Sequence, residues 1–270
     1  MPKRWRIATH DSARIESLER AAGIPHVVAR LLVARGLTDP ADARGFLEPK
    51  LTALRDPSLL PGAGEAAGLI RDAIAQKRRI VIYGDYDADG VTATAILLRC
   101  LRLLGADVRS YVPHRLEEGY GLNAAALESL AAAGTHTVVT VDNGVASLAE
   151  ADVARRLGLQ LIVTDHHQMR DRLPDAAAIV HPGLPGHGYP FTGLCGAAVA
   201  FKLAWALCQA ASDAQRVSDR MRRLLVRVLG LAAIGTVADV VPLLDENRVL
   251  VRCGLGLLRQ DPLPGIAALE

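Results

Sequence analysis

The chain has 270 residues, 50% of them apolar, and a formal net charge of +2, so it can bury a substantial core in one large or two small domains, and its charge alone does not mark a nucleic-acid binder. No run approaches about 18 uninterrupted apolar residues, and the opening MPKRWRIATHDSARIESLER is basic without an apolar core; this argues against a membrane span or secretory signal and for a soluble, cytoplasmic protein. Cys100, Cys195, Cys208 and Cys253 lie far apart with no C-x-x-C spacing, so a zinc knuckle or redox pair is disfavoured and buried free thiols are expected.

From Ser12 to about Ala63 the pattern reads as short helices broken by Gly23-Ile24-Pro25, Gly36, Pro40, Pro49, Pro57 and Pro61-Gly62. A helix over 65–78 then leads to the strand RIVIYG, a helix from Thr92 to Leu104 and the strand VRSYVP. A helix over 123–133 precedes TVVTVD, a helix over 147–157 precedes LQLIVTD, and AAAIVHP supplies a short fifth strand. After a Gly/Pro-rich loop at 182–196, helices are expected over 196–211, 214–229 and 247–259. Continuously apolar strands alternating with helices imply an α/β fold: a Rossmann-like, mostly parallel sheet with helices on both faces, preceded by a short helical segment and followed by helices. Lys occurs only at positions 3, 50, 77 and 202, so nearly all basic residues are Arg; this suits bidentate phosphate contacts and equally fits a compositional bias.

Three strands end in acid, at Asp85, Asp142 and Asp165, and the carboxyl ends of strands in such sheets are where ligands bind. The first is followed by two more acids in GDYDADG, so Asp85, Asp87 and Asp89 occupy alternate positions. Capping of the next helix accounts for one of them, with Asp89 the candidate. The EF-hand pattern D-x-[DN]-x-[DN]-G matches as well, but its twelfth position is Ile96 rather than Glu and a strand precedes the loop. A catalytic divalent-metal site fits best, because Asp142, Asp165-His166-His167 and Asp239 supply further ligands in apolar surroundings, where isolated carboxylates are costly. Carboxylate with imidazole suits Mn²⁺, or Mg²⁺. In an extended backbone the two histidines point opposite ways, one toward metal and the other toward substrate.

The ordered segments GDYDADGVTATAIL, VPHRLEEGYGLN, VTVDNGV, VTDHHQ, CGAAVAFKLAWAL and GTVADVVPLLDENRVLVRCGL, over roughly 65–260, resemble the DHH phosphoesterase superfamily and, within it, the bacterial RecJ single-strand-specific exonucleases. The resemblance implies a DHH catalytic domain over 65–260 after a helical segment over 1–64. It implies two divalent ions, Mn²⁺ preferred and Mg²⁺ possible, and hydrolysis of single-stranded DNA from its 5′ end. By motif, Asp85, Asp87, Asp89, Asp142, His166, His167 and Asp239 resemble the metal ligands. Asp85, Asp142, Asp165 and His167 form the catalytic set, with Asp165 orienting the histidines. Arg115 and Arg248 are phosphate candidates, and Tyr120 packs against a nucleotide. His114, His136, His181 and His187 fit no ligand pattern and read as structural or surface groups.

Two departures stand out against the family pattern. Tyr83 holds the place where many members carry His, which shifts weight onto Asp85. The sequence ends at PLPGIAALE, so 261–270 reads as the start of a linker to the DHH-associated and oligonucleotide-binding regions, and a chain without them is expected to grip DNA weakly. A monomer without membrane attachment is expected, with a single-strand-binding protein or a helicase as protein partner. The alternatives are an enzyme acting on oligoribonucleotides, cyclic dinucleotides or pyrophosphate, and a non-catalytic replication scaffold of the same fold.

Overall fold

All five apolar runs read as strands enter one sheet. The computed structural model describes residues 11–212 and 217–269, which fall into two units, Met1–Lys50 and Leu51–Glu270. The first unit holds α1 (Ser12–Ala22), α2 (His26–Val33) and α3 (Pro40–Leu47). These close on a small core of Ile15, Leu18, Ala29, Leu32 and Ala43. Gly23 ends α1 in the left-handed conformation, and Asp39 caps α3 ahead of Pro40. Residues 1–10 of the expected helical segment lie outside the described residues.

The second unit opens with two 3₁₀ turns, Leu51–Ala53 and Pro57–Leu59. It continues with α4 (Ala63–Ala75), β1 (Ile80–Tyr83), α5 (Ala88–Leu103), β2 (Val108–Tyr111), α6 (Ala124–Ala132) and β3 (Thr137–Thr140). Then follow α7 (Leu148–Arg156), β4 (Gln160–Thr164), β5 (Ala178–Val180), α8 (Gly196–Ala210), α9 (Asp219–Ala238), α10 (Asp245–Gln260) and the short α11 (Pro264–Ala267). The strand order is β2-β1-β3-β4-β5, parallel throughout. This order reverses between β1 and β3, the crevice where doubly wound sheets bind ligands.

Side-chain alternation explains why the strands are apolar on both faces. Val139, Val141 and Ile162 join the core built with α4, α5 and α8. Their neighbours Val138, Leu161 and Val163 join the core built with α6 and α7. Helices α9 and α10 extend the first core through Val228, Leu229, Ala232 and Leu250. No helix among the described residues is long and apolar enough to cross a membrane.

Two helices differ from the sequence expectation. Helix α5 begins at Ala88 rather than Thr92, because the Asp87 carboxylate accepts the Gly90 N–H at 2.9 Å and caps it; the capping aspartate is therefore Asp87, not Asp89. The helix expected to end at residue 229 runs on to Ala238, and residues 214–216 of that expectation lie outside the described residues. It continues because its glycines are points of close approach: a Cβ on Gly230 would come within 2.6 Å of Leu258, and one on Gly235 within 2.4 Å of Asp89. Asp239 thus sits at a helix C-terminus.

Candidate metal centre

Each acid reaches the carboxyl edge of the sheet by a different local device. After β1, Asp85 turns inward, 1% exposed, and its Oδ1 accepts the Tyr86 N–H at 2.7 Å. Gly90 lets the helix start pass over it, since a Cβ there would meet the Asp85 Cβ at 2.5 Å. Asp87 is exposed. Asp89, in the first turn of α5, reaches across to α8, where its two oxygens accept the Gly196 and Ala197 N–H groups at 2.6 and 2.9 Å. Three close aspartates therefore have three structural tasks: one faces the sheet edge, one caps α5 and one ties α5 to α8.

After β3 the chain turns sharply. Asp142 adopts φ 63°, its N–H donates to the Thr164 carbonyl at 3.0 Å, and Asn143 Nδ2 donates to the Val141 carbonyl at 2.9 Å. This turn aims the Asp142 carboxylate at α8, where Gly196 makes room; a Cβ at 196 would lie 2.5 Å from Asp142 Oδ1.

After β4, Asp165 Oδ1 accepts the N–H groups of His166 and His167 at 2.7 and 3.1 Å and contacts His167 Nδ1 at 2.7 Å. Its Oδ2 accepts the Val145 N–H at 2.9 Å. The expectation that the two histidines diverge is corrected here. Because β4 ends at Thr164 and Asp165 gathers the following N–H groups, the backbone is no longer extended, and both rings face Asp142. His166 Nε2 lies 3.1 Å and His167 Nδ1 3.9 Å from Asp142 Oδ1. Asp165, spent on these bonds, holds both histidines in place.

Among the described residues, three sets of side chains bring one ligand-type atom each within 4.8 Å of one another: Asp85, Asp87 and Asp142; Asp89, His166 and Asp239; and Asp142, His166 and His167. Asp142 and His166 are shared between sets. His166 Nε2 is 3.8 Å from both Asp89 Oδ2 and Asp239 Oδ2. Although His166 Nε2 and Asp142 Oδ1 are 3.1 Å apart, they are not aligned as a hydrogen bond, and neither buried atom has a hydrogen-bond partner among the described residues. Orphaned lone pairs in a nest of carboxylates fit a hard divalent cation.

The charges show the same strain. Burial, reinforced by Asp89, pushes the Asp142 carboxyl up to about 7 against the pull of the histidines. Burial also raises Asp85 and Asp239. The hydrogen bond that its ring gives to the Asp165 carboxylate lifts His167 to about 9. Burial opposes charge on His166, yet Asp142 outweighs it and the net shift is upward. Asp165 is buried as well, but its bonds to His167 and Val145 hold it below the usual carboxylate range.

Around the cluster, the Tyr120 hydroxyl stands 3.4 Å from the His167 ring and from the Asp142 carbonyl. Arg115 is exposed, with its guanidinium 4.8 Å from the ring centroid of Tyr86, which packs edge-on against Tyr120 at 6.4 Å. Arg248 is half-buried on α10, where burial and Arg252 lower its pKa. Tyr83 is buried and donates to the Gly121 carbonyl at 3.2 Å.

Sequence reasoning missed four contributors: Tyr86, Gly196, Gly235 and His181. His181 Nε2 is 2.9 Å from the His167 carbonyl, and its Nδ1 accepts the Gly183 N–H at 2.9 Å. A carbonyl can only accept and an N–H can only donate, so these partners fix a neutral ring protonated at Nε2. The available signal was IVHP, another strand end bearing a polar side chain.

A parallel 2-1-3-4-5 sheet with this aspartate and histidine cluster at its switch point defines the class, and the chain belongs to the DHH family, whose N-terminal domain matches residues 79–236. Within that family it is similar to the single-stranded-DNA-specific exonuclease RecJ. The Bacillus subtilis relative is 46% identical over 266 residues, 98% of this chain and 32% of that protein. The Escherichia coli relative is 38% identical over 258 residues, 94% of this chain and 44% of that protein. The chain thus spans less than half the length of either. RecJ from Thermus thermophilus in complex with Mn²⁺ matches with a TM-score of 0.80 at 33% identity, over 98% of this chain and 36% of that one. An exonuclease RecJ bound to manganese matches with a TM-score of 0.70 at 38% identity, over 82% of this chain and 53% of that one.

Proposed function

We propose that the chain carries the hydrolytic centre of a metal-dependent 5′ to 3′ single-stranded-DNA exonuclease, with residues 65–260 as the catalytic domain. The observation that carries this reading is the buried pair Asp142 Oδ1 and His166 Nε2, 3.1 Å apart yet without an aligned hydrogen bond among the described residues, ringed by Asp85, Asp87, Asp89 and Asp239. Similarity to RecJ structures holding Mn²⁺ or Mg²⁺ supports it.

Asp85, Asp87 and Asp142 would hold one ion, and Asp89, His166 and Asp239 would hold the other. Bound there, two divalent ions supply Lewis acidity and a reactive water at neutral pH. Asp165 keeps His167 oriented and protonated, and His167 would pass a proton to O3′ of the terminal nucleotide as its bond to phosphorus breaks, while the attacking water oxygen bonds to phosphorus and gives its own proton to solvent. Arg115, braced on Tyr86, binds a terminal phosphate as a bidentate donor. Tyr120 packs beside it, and Arg248 is a further phosphate contact. Polarity comes from these residues, since the ligand sets alone do not tell one phosphodiester from another. Such an enzyme works in the cytoplasm as a monomer, on strands exposed by a helicase or carried by a single-strand-binding protein.

The test is digestion of 5′-phosphorylated single-stranded DNA beside RNA of equal length and a cyclic dinucleotide, with Mn²⁺ or with chelator. Mn²⁺-dependent release from the 5′ end of the DNA is the expected result. Faster turnover of RNA or the cyclic dinucleotide, or hydrolysis that survives the chelator, overturns the reading.

A further inference from the structure

Cys100 and Cys208 are both wholly buried, and their sulfurs lie 3.9 Å apart across the contact between α5 and α8. Cys100 Sγ also donates to the Ala204 carbonyl at 3.6 Å. Neither thiol belongs to the metal centre. Each stands in the last turn of its helix, shortly before Leu103 in α5 and Ala210 in α8. At the other ends of the same helices, Asp89 accepts the Gly196 and Ala197 N–H groups. The stretch from Asp89 to Cys100 is nearly as long as that from Gly196 to Cys208, so the two helices run side by side in one direction. They are fastened at the metal end and meet again at two thiols about 16–18 Å away. The contact between the sulfurs holds the proton on Cys100, whose pKa it raises, and favours the thiolate on Cys208, whose pKa it lowers.

We infer that Cys100 and Cys208 are a site of reversible oxidation, joined as a disulfide between α5 and α8 when a hydroperoxide reaches them. The Cys208 thiolate attacks the hydroperoxide, whose O–O bond breaks, leaving a sulfenic acid on Cys208 and releasing water or an alcohol. The Cys100 sulfur then displaces the sulfenic hydroxyl, which leaves as water with the Cys100 proton. The two sulfurs lose two electrons, and the hydroperoxide takes them. Buried cysteines are inert while their surroundings stay closed, but helix ends fray. Fraying of the two last turns admits the oxidant and supplies the approach of about 2 Å that separates this contact from a disulfide of 2.03–2.05 Å. A small thiol reverses the bond by exchange. The bond closes a loop of about 100 residues, long enough to constrain the unfolded chain strongly. It also keeps α5 against α8, so that Asp89 keeps its backbone donors. The inference is independent of the phosphodiesterase reading.

The test is titration of the folded full chain with hydrogen peroxide until Cys253, the half-buried thiol, is oxidised, followed by alkylation in denaturant and peptide mass mapping. The expected product is a cross-linked peptide pair holding Cys100 and Cys208, lighter by two hydrogens than the two thiol peptides together. It should form before Cys253 is oxidised and disappear with dithiothreitol. The cross-linked chain should unfold at higher urea than the reduced chain, and dithiothreitol should remove that gain. Cys100→Ala and Cys208→Ala, both small truncations, should each lose the cross-link and the gain, and the mapping of the wild-type chain decides even if a variant folds poorly. Oxidation of Cys253 while Cys100 and Cys208 remain thiols, separate oxidation of either sulfur to a sulfinic acid, or a bond to Cys195 or Cys253 instead overturns the inference. A Cys100–Cys208 bond that leaves the urea midpoint unchanged or lowers it overturns its role as a brace between α5 and α8.

Discussion

Asp142 holds a left-handed backbone, φ 63°, that few side chains other than Asn and Asp adopt cheaply. Asn at this position keeps the turn while removing the charge, whereas Ala would mix backbone strain with ligand loss. The sign of the effect follows from the shift to about 7. The folded, metal-free chain holds this proton to higher pH than the unfolded chain does, so ionisation of Asp142 costs stability as pH rises through the interval from the unfolded value to about 7. Asp142→Asn should therefore stabilise the metal-free chain at pH 8 by roughly 1–3 kcal/mol and by less than half as much at pH 5, while abolishing tight Mn²⁺ binding. Urea unfolding at the two pH values checks this, and a variant less stable than wild type at pH 8 contradicts it. Gly235 makes the complementary case. Its added Cβ would lie 2.4 Å from Asp89 Oδ1 and 2.6 Å from both Ala197 Cβ and Thr92 Oγ1. Gly235→Ala should then lower Mn²⁺ affinity by about tenfold or more, at a stability cost of roughly 1–3 kcal/mol; titration calorimetry showing normal affinity would refute the close-approach argument.

Among the elements, α8 links the metal centre to the C-terminal helices. Its first N–H groups hold Asp89. Two turns further on, Lys202, fully buried, donates to the Arg55 carbonyl at 2.6 Å and to Glu246 of α10. Glu246 also accepts from Tyr189 and from the Arg55 N–H. Breaking one side of such a pair leaves a buried charge without its partner, so Lys202→Met should cost about 3–5 kcal/mol. Lys202→Met combined with Glu246→Leu should regain part of that loss, and urea unfolding in which the double variant is no more stable than the single one would contradict this account. None of this network was legible in FKLAWAL or LLDENRV, because i, i+4 spacing and apolar neighbours do not reveal a partner 44 residues away. The strands were legible, since IVIY, TVVT and LIVT have no other periodicity to obey. So was the gathering of acids, because parallel strands put their carboxyl ends at one edge. Helix limits were not: Asp87 and Gly235 read locally as a charge and a breaker, and their roles as cap and close contact depend on α5, α8 and α9 being packed together. The convergence of both histidines was hidden for the same reason, as it depends on where β4 stops.

At the scale of the whole molecule, near-neutral charge conceals its distribution. Thirty-one basic and 29 acidic side chains almost cancel, yet Asp85, Asp87, Asp89, Asp142 and Asp239 crowd one edge of the sheet, three of them nearly inaccessible. The metal-free fold bears that repulsion, and a cation that binds only the folded cluster relieves it. Linkage sets the scale: at a concentration 100 times its Kd, each ion adds about 2.7 kcal/mol. For a chain of this size each kcal/mol moves Tm by roughly 2–4 °C, so Mn²⁺ should raise Tm by roughly 5–10 °C per site. The gain must also depend on pH. At pH 5 Asp142, with its pKa near 7, and His166, whose pKa is shifted upward, keep their protons and compete with the ion. At pH 8 Asp142 is ionised, and the ion displaces fewer protons. Differential scanning fluorimetry with Mn²⁺ and with chelator at the two pH values should show the larger rise at pH 8. An equal rise at both would mean that the ion binds carboxylates already ionised at the surface, and that Asp142 and His166 are not its ligands.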